Sequence, residues 1–253
     1  MLPILMYHGL HADPKQRGCF DAVYSVSPRA FEQQLDWLVA EGYRSALLSD
    51  IHAGPAERSV VITFDDGDIS NLEIALPALA RRGMVAEFCI TTDFIGRRGS
   101  LAEDDVRMLA AAGMGVQSHG CTHRYLDDLG ASVMEMELLH SKRRLEALLQ
   151  TPVCALALPG GRGGERERIT ALGAGYLHVL NSEPGCNAHW RKGQYLQRVA
   201  VTRGLALPEF VQLVQWRGLR PPLLRARYRM LARAKRLLGN RRYEWFRERL
   251  LTP

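Results

Sequence analysis

Two short stretches concentrate the side chains that can do metal or acid–base chemistry. The first, TFDDGD at residues 63–68, sets Asp65 and Asp66 side by side after the apolar run SVVITF, with Asp68 two residues further on. The second, SHGCTH at residues 118–123, follows the run MGVQ and holds His119 and His123 four residues apart. Adjacent carboxylates at the end of a hydrophobic strand are costly unless a cation or hydrogen bonds satisfy them. One carboxylate with two imidazoles is an N/O ligand set that suits zinc or a similar divalent ion, and three protein ligands leave a position open for water. Side-chain alternation keeps the two aspartates from facing such an ion alike, so one can ligate it while the other takes a proton from water. The plainer readings are an acidic turn in which Asp68 or Ser70 caps the next helix, and two histidines idle on a surface. Their joint occurrence at two strand ends favours a site. A third stretch, LMYHGL at residues 5–10, ends an apolar run in His8; alone it reads as a buried strand with a hydrogen-bonded histidine at its edge.

The elements that must position these residues alternate almost throughout. Strand-like runs occupy residues 4–8, 44–48, 59–64, 84–92, 114–119, 153–158, 176–180 and 196–201. Helical periodicity with start and stop signals runs from Ser27 to Gly42, from Ser70 to Gly83, from Ala102 to Gly113 and over residues 131–150. Repeated β-α alternation calls for parallel strands covered by helices, and seven or eight strands imply an α/β fold closed into a deformed (β/α) barrel. An open doubly wound sheet is the alternative. Barrels of this type carry their chemistry at the C-terminal ends of strands, where the aspartates and histidines fall.

At 253 residues, 47% hydrophobic and 24% charged, the chain can bury a full core. Five cysteines, an odd number without a CxxC pair, argue against a disulfide framework or a zinc knuckle. The apolar run at residues 2–7 is far shorter than the roughly 18 residues of a membrane span and lacks the features of a signal peptide, so a cytoplasmic location is expected. Of 33 basic and 27 acidic residues, 12 and 2 lie in residues 217–253, leaving 21 and 25 in residues 1–216. The basic character therefore belongs to the tail alone.

The strings TFDDG (63–67) and SHGCTH (118–123), followed by LALPGG (156–161), resemble the polysaccharide deacetylases with a NodB-type domain, in motif order and spacing over residues 3–205. The resemblance implies a deformed (β/α) barrel and hydrolysis of an N-acetyl group from an amino sugar. It makes Asp65 the general base and Asp66, His119 and His123 the ligands of a divalent ion, zinc first, with cobalt or nickel as alternatives. Many members carry the general-acid histidine near the C-terminus. No copy stands there in this chain, since His178 in GYLHVL is mid-strand. A circularly permuted branch opens instead with a YH strand, and LMYHGL matches it, which makes His8 the general acid. Pro159 and Gly160 are expected at the substrate, with the Gly160 N–H facing the oxyanion. Arg198 in LQRVAV is expected near substrate or as a positive charge near Asp65, with a core-edge salt bridge as the plain alternative. Departures are Gly120 where Ser or Thr is usual, Asp68 where an aromatic is common, Leu158 in place of Tyr, and Ala157 where an arginine is common. These imply a lost hydrogen bond in the histidine loop and a third carboxylate near the metal.

Residues 1–216 thus read as the catalytic barrel and residues 217–253 as a basic helical tail. In the tail, Leu224, Tyr228, Leu231 and Leu238 share one stripe, and Tyr243, Phe246 and Leu250 a second. A helical hairpin packed on the barrel and an interfacial membrane anchor both fit, whereas no nucleic-acid motif accompanies the charge. The expected partner is an N-acetylated amino sugar on a glycan or lipid-linked saccharide, met in the cytoplasm or at the inner face of the membrane. A deformylase or small-amide hydrolase on the same machinery, or an inactive metal- and carbohydrate-binding protein, are the competing readings.

Overall fold

The computed structural model describes residues 1–13, 22–51, 57–188, 193–231 and 233. Its strands are β1 (Ile4–Tyr7), β2 (Arg44–Ser45), β3 (Ser59–Asp66), β4 (Glu87–Ile90), β5 (Gly115–Ser118), β6 (Ala155–Ala157), β7 (His178–Leu180), β8 (Tyr195–Leu196) and β9 (Val199–Ala200). All pair in parallel, in the order β8-β7-β6-β5-β4-β3-β1-β9, with β2 on β3. The two ends of this order, β8 and β9, are separated in the chain only by Gln197 and Arg198. The sheet therefore curls until its last strand segment meets its first, and the α/β barrel closes through that seam. Asn187 bridges the gap, its Nδ2 donating to the carbonyls of Leu2 (3.2 Å) and Gln197 (2.9 Å) and its Oδ1 accepting from Gln197 N–H (3.0 Å).

Helices cover the outside: α1 (Pro28–Ala40), α2 (Leu76–Ala80), α3 (Glu103–Ala111), α4 (Ala131–Leu149), α5 (Glu165–Gly173) and α6 (Leu207–Gln215). The first starts where its sequence says it should, because Ser27 Oγ accepts from Ala30 N–H and Pro28, lacking an N–H, sits in the first turn. The helix expected over residues 70–83 is broken. Residues Asn71–Ala75 form a π-helical turn, with Leu76 N–H reaching back to Asn71 C=O, before α2 begins. Pro77 explains the break, since it has no N–H to give to the carbonyl of Glu73. The strand expected at residues 196–201 is two segments, and that at 44–48 has only two residues. Helices α5 and α6 add to the expected set: α6 has Pro208 in its first turn and buries Phe210, Leu213 and Val214 on one face, whereas α5, with four charged residues in nine, starts from Gly164, whose N–H bonds to Glu167 Oε2.

Strand alternation divides the side chains into two sets. Leu5, Tyr7, Val60, Ile62, Phe64, Phe88, Val116, Leu156 and Val179 face the helices as one large core. Ile4, Val61, Cys89, Ala155, Ala157, Leu180 and Leu196 form the smaller cluster inside the barrel. Tyr7, Phe64 and Phe88 are in register on neighbouring strands and stack at 5.3 and 5.2 Å, with Phe31 of α1 edge-on to Tyr7. Such aromatic contacts add about 0.5–1.5 kcal/mol each beyond buried area. They clamp β1, β3 and β4 one residue below His8 and Asp65.

Cys89, Cys121, Cys154 and Cys186 are free thiols, and Cys19 lies outside the described residues. Among the described residues no helix is long and apolar enough to cross a membrane. Residues 220–231 are helical. Leu224 packs on the core, Arg225 Nε donates to Pro184 C=O at 3.1 Å, and the Arg225 guanidinium lies 4.9 Å above the Trp216 ring. The stripe with Tyr243, Phe246 and Leu250, together with Leu238, lies outside the described residues.

Candidate active site

Asp65 continues the inward parity of Val61 and Thr63, and His8 that of Ile4 and Met6, so strand periodicity alone aims both toward the barrel mouth. Asp65 is held by Arg198 in a bidentate pair, Oδ1 to Nη1 at 2.7 Å and Oδ2 to Nη2 at 2.8 Å. Arg198 rises from the seam between β8 and β9; its Nη1 also donates to Thr63 Oγ1 (3.2 Å) and its Nε to Asn181 C=O (3.0 Å). Burial raises the Asp65 carboxyl, but the Arg198 guanidinium together with the His119 and His8 imidazoles holds the group below its ordinary value. Arg198 is itself fully buried behind Asp65. Its described bonds orient the aspartate, and none of its surface is open to a substrate.

Asp66 breaks the strand rule. It ends β3 with φ +78°, in the left-handed region, which turns its carboxylate away from the outward face that alternation assigns it. His123 has φ +64°. Non-glycine residues there cost about 1–3 kcal/mol each, and such strain concentrates at functional positions. The turn brings Asp66 Oδ1 to 3.3 Å from His119 Nε2 and 3.1 Å from His123 Nε2. His119 Nδ1 is 2.9 Å from Ala157 C=O, which fixes that ring with Nε2 facing Asp66. One ligand atom from each of the three residues lies within 4.8 Å of the others. Asp66 Oδ1 is buried yet lacks a well-aligned hydrogen bond. A buried carboxylate oxygen meeting two imidazole nitrogens without proper hydrogen bonds is the arrangement a cation completes, and the donor types fit a zinc-like divalent ion.

His8 stands at the end of β1, its ring stacked on Tyr24 at 4.6 Å. Its carbonyl accepts from Asn71 Nδ2 at 2.9 Å. Burial pushes the imidazole below its ordinary value, against the pull of the Asp66 and Asp65 carboxylates. Pro159 and Gly160 lie in the tight turn Pro159–Gly161 after β6, next to the histidine loop. His178 is buried within β7 and does not join the cluster.

Two expectations drawn from the departures change. Gly120 has φ +78°, which glycine accommodates, and its N–H donates to Ser118 Oγ at 3.1 Å. The loop is steadied instead by Glu137 of α4, whose Oε1 accepts from Thr122 N–H (2.6 Å) and Thr122 Oγ1 (3.0 Å). Asp68 is not a third carboxylate of the cation group. Its Oδ1 accepts from Ser70 N–H (2.8 Å) and Ser70 Oγ (2.6 Å) and faces His11 Nε2 at 3.2 Å. Glu137, Tyr24, Asn71 and His11 carry no local signal in the sequence; they reach the site from other elements.

The polysaccharide deacetylase family profile matches residues 52–178. A putative polysaccharide deacetylase of Bacillus subtilis (strain 168), YxkH, is 30% identical over 212 residues, covering 81% of this chain and 73% of that protein. The chain belongs to the polysaccharide deacetylase family. Members of this family are hydrolases that deacetylate glycans, and their barrel is the one seen here. The Streptococcus pyogenes deacetylase PplD in complex with acetate superposes with TM-score 0.77 at 24% identity, covering 84% of this chain and 97% of that one. IcaB from Ammonifex degensii superposes with TM-score 0.72 at 22% identity, covering 85% and 96%. At these identities the two structures support the deacetylase fold alone.

Proposed function

We propose that this polysaccharide deacetylase is a metal-dependent hydrolase that removes the N-acetyl group from an amino sugar of a glycan or lipid-linked saccharide. The observation that carries the reading is the meeting of Asp66, His119 and His123 beside an Asp65 locked by Arg198. Asp66, His119 and His123 would hold the ion, zinc first, with cobalt or nickel also suited to the donors. When bound, such an ion supplies a Lewis acid and lowers the pKa of water at the site.

The chain's own residues account for the proton movements. Asp65 takes the proton from the attacking water, and Arg198 keeps it ionised and aimed. The Gly160 N–H faces the oxyanion that forms on the acetamide carbonyl. His8 gives a proton to the departing nitrogen, which would otherwise leave as an amine anion. Acetate and a free amino group result. A donor on the first strand can replace one near the C-terminus because β1 and β9 are hydrogen-bonded neighbours, which is the physical sense of the permuted YH opening.

The test is release of acetate from N-acetylglucosamine oligomers, with and without added zinc, beside Asp65→Asn. Metal-stimulated turnover that Asp65→Asn abolishes supports the reading. Full activity in Asp65→Asn overturns the assignment of the base, and no turnover on any N-acetylated glycan overturns the activity.

A lipid-linked substrate is favoured by the outer face of the helix at residues 220–231. Its inner stripe is already seated on the barrel through Leu224, while Leu223 and Met230 on the helix, and Leu219 just before it, are exposed with Arg217, Arg227 and Arg229. An apolar strip flanked by arginines complements an anionic lipid surface. Leu219→Asp with Leu223→Asp should abolish co-sedimentation with phosphatidylglycerol vesicles and leave neutral vesicles unbound throughout. Unchanged sedimentation would remove the membrane from the proposal.

A further inference from the structure

Behind His8 lies a buried polar assembly that the proposed chemistry does not use. Asp68 and His11 are 2% and 7% exposed. Charged and imidazole groups this deep are costly unless they satisfy one another. Asp68 Oδ1 lies 3.2 Å from His11 Nε2 as a charge contact without a well-aligned hydrogen bond, and His11 Nδ1 meets the buried Ser25 hydroxyl at 3.0 Å. Ser25 directly follows Tyr24, whose ring covers the His8 imidazole. A chain of side chains thus runs from the loop after β3, through His11, to the backbone that carries Tyr24.

The main chain reinforces the same connection. His11 N–H donates to Val26 C=O (3.0 Å) and Val26 N–H to Gly9 C=O (3.1 Å). Ser70 Oγ, itself bonded to Asp68, accepts from Leu10 N–H at 2.8 Å. Arg203 Nη1 ties His11 C=O (3.0 Å) to Ser25 C=O (2.9 Å). The His11 ring folds back over Gly9 so closely that a Cβ there would lie 2.4 Å from its Cε1 and 3.3 Å from Asp68 Cγ. Only glycine fits next to His8, so the YHG sequence is required by the assembly as well as by the strand end. The His8 Nδ1 has no hydrogen bond among the described residues, and Tyr24 is the ring stacked against the imidazole, at 4.6 Å.

We propose that the Asp68–His11–Ser25 assembly is the positioning device for His8: it fixes Tyr24 flat against the imidazole, so that the ring presents its proton in one direction. Asp68, His11 and Tyr24 are positioning residues that act through His8. The proposal rests on the reading of His8 as proton donor, and the experiment separates the two.

Steady-state kinetics on an N-acetylglucosamine oligomer, with metal content measured on each protein, would be compared for Asp68→Asn, Tyr24→Ala and His8→Ala, and for each of the first two combined with His8→Ala. Asp68→Asn retains the shape and an acceptor for Ser70, and Tyr24 is only half buried, so both chains are expected to fold. Each should lower kcat about tenfold with KM and metal content unchanged, because alignment of a transfer group affects the transition state. In the His8→Ala background neither should lower kcat further. If His8→Ala slows turnover but Asp68→Asn and Tyr24→Ala do not, the positioning role is overturned and the role of His8 stands. Losses that persist in full on top of His8→Ala also overturn it, since they would act through another part of the site. Normal turnover of His8→Ala itself overturns the donor assignment on which the proposal depends.

Discussion

Among the arginine–aspartate pairs of the described residues, two that share a 2.7 Å contact differ most in depth. Asp65 and Arg198 meet inside the barrel at 2% and 0% side-chain exposure. Asp104 and Arg107 meet on the outer face of α3 at 89% and 49%. On the surface, water screens the attraction and side-chain entropy opposes it, so such a pair contributes little. Inside, neither group can return to water, and removing one leaves the other as an uncompensated buried charge. The buried pair does not exist because ion pairs are strong; an apolar pair would serve stability as well. It holds an ionised carboxylate at the barrel mouth, which an apolar pair cannot do.

This contrast orders the expected effects of breaking the charges. The largest falls on the cation group, where His119→Ala should remove bound metal and lower turnover by about 1,000-fold or more, as loss of a several-kcal/mol electrostatic contribution requires. Metal analysis and acetate release on one preparation check it, and chelation of the wild-type protein should reproduce the loss.

Next comes the buried pair itself. Arg198→Met should destabilise the fold by about 3–5 kcal/mol in urea titration, and adding Asp65→Leu should recover most of that stability without recovering activity. Stability that falls further in the double variant would contradict the account of an orphaned charge.

Glu137 lies between the extremes, outside the cation group but bonded to its loop. Glu137→Ala should weaken metal affinity about 10- to 100-fold, measured by competition with a chromogenic chelator, as loss of an outer hydrogen-bonding partner does.

The smallest effect belongs to the exposed pair. Asp104→Ala should change stability by no more than about 0.5 kcal/mol and leave turnover untouched. A loss comparable to that of Arg198→Met would mean that burial is not what separates the two pairs.

Much of the inner site was legible before any fold was known, for one reason. Asp65 and His8 inherit their inward direction from strand alternation, and the apolar residues before them reveal the strands. The strand ends also placed His119 and His123 together with the aspartates. Asp66 is different, because only its positive φ brings it to the histidines, and no residue spacing encodes that angle. Asp68 shows the opposite failure. The family resemblance makes it a third carboxylate near the metal, but the step past Gly67 directs it to Ser70 and His11 instead.

The residues that hold the site in place lie far from it in the chain. Arg198 is 133 positions from Asp65, and Glu137 is 15 from Thr122 on a separate helix. The strand expected at residues 196–201 proved to be a seam in which two half-strands close the barrel, and that interruption lets Arg198 reach Asp65. Element type, strand direction and the chemical nature of the ligands are properties of neighbouring residues, set by periodicity and side-chain chemistry, and the linear order of amino acids carries them. Which arginine neutralises Asp65 depends on barrel closure, and which carboxylate steadies the histidine loop and which ring covers His8 depend on how α4 and the segment after β1 pack, because only tertiary packing brings those side chains within hydrogen-bonding or stacking range.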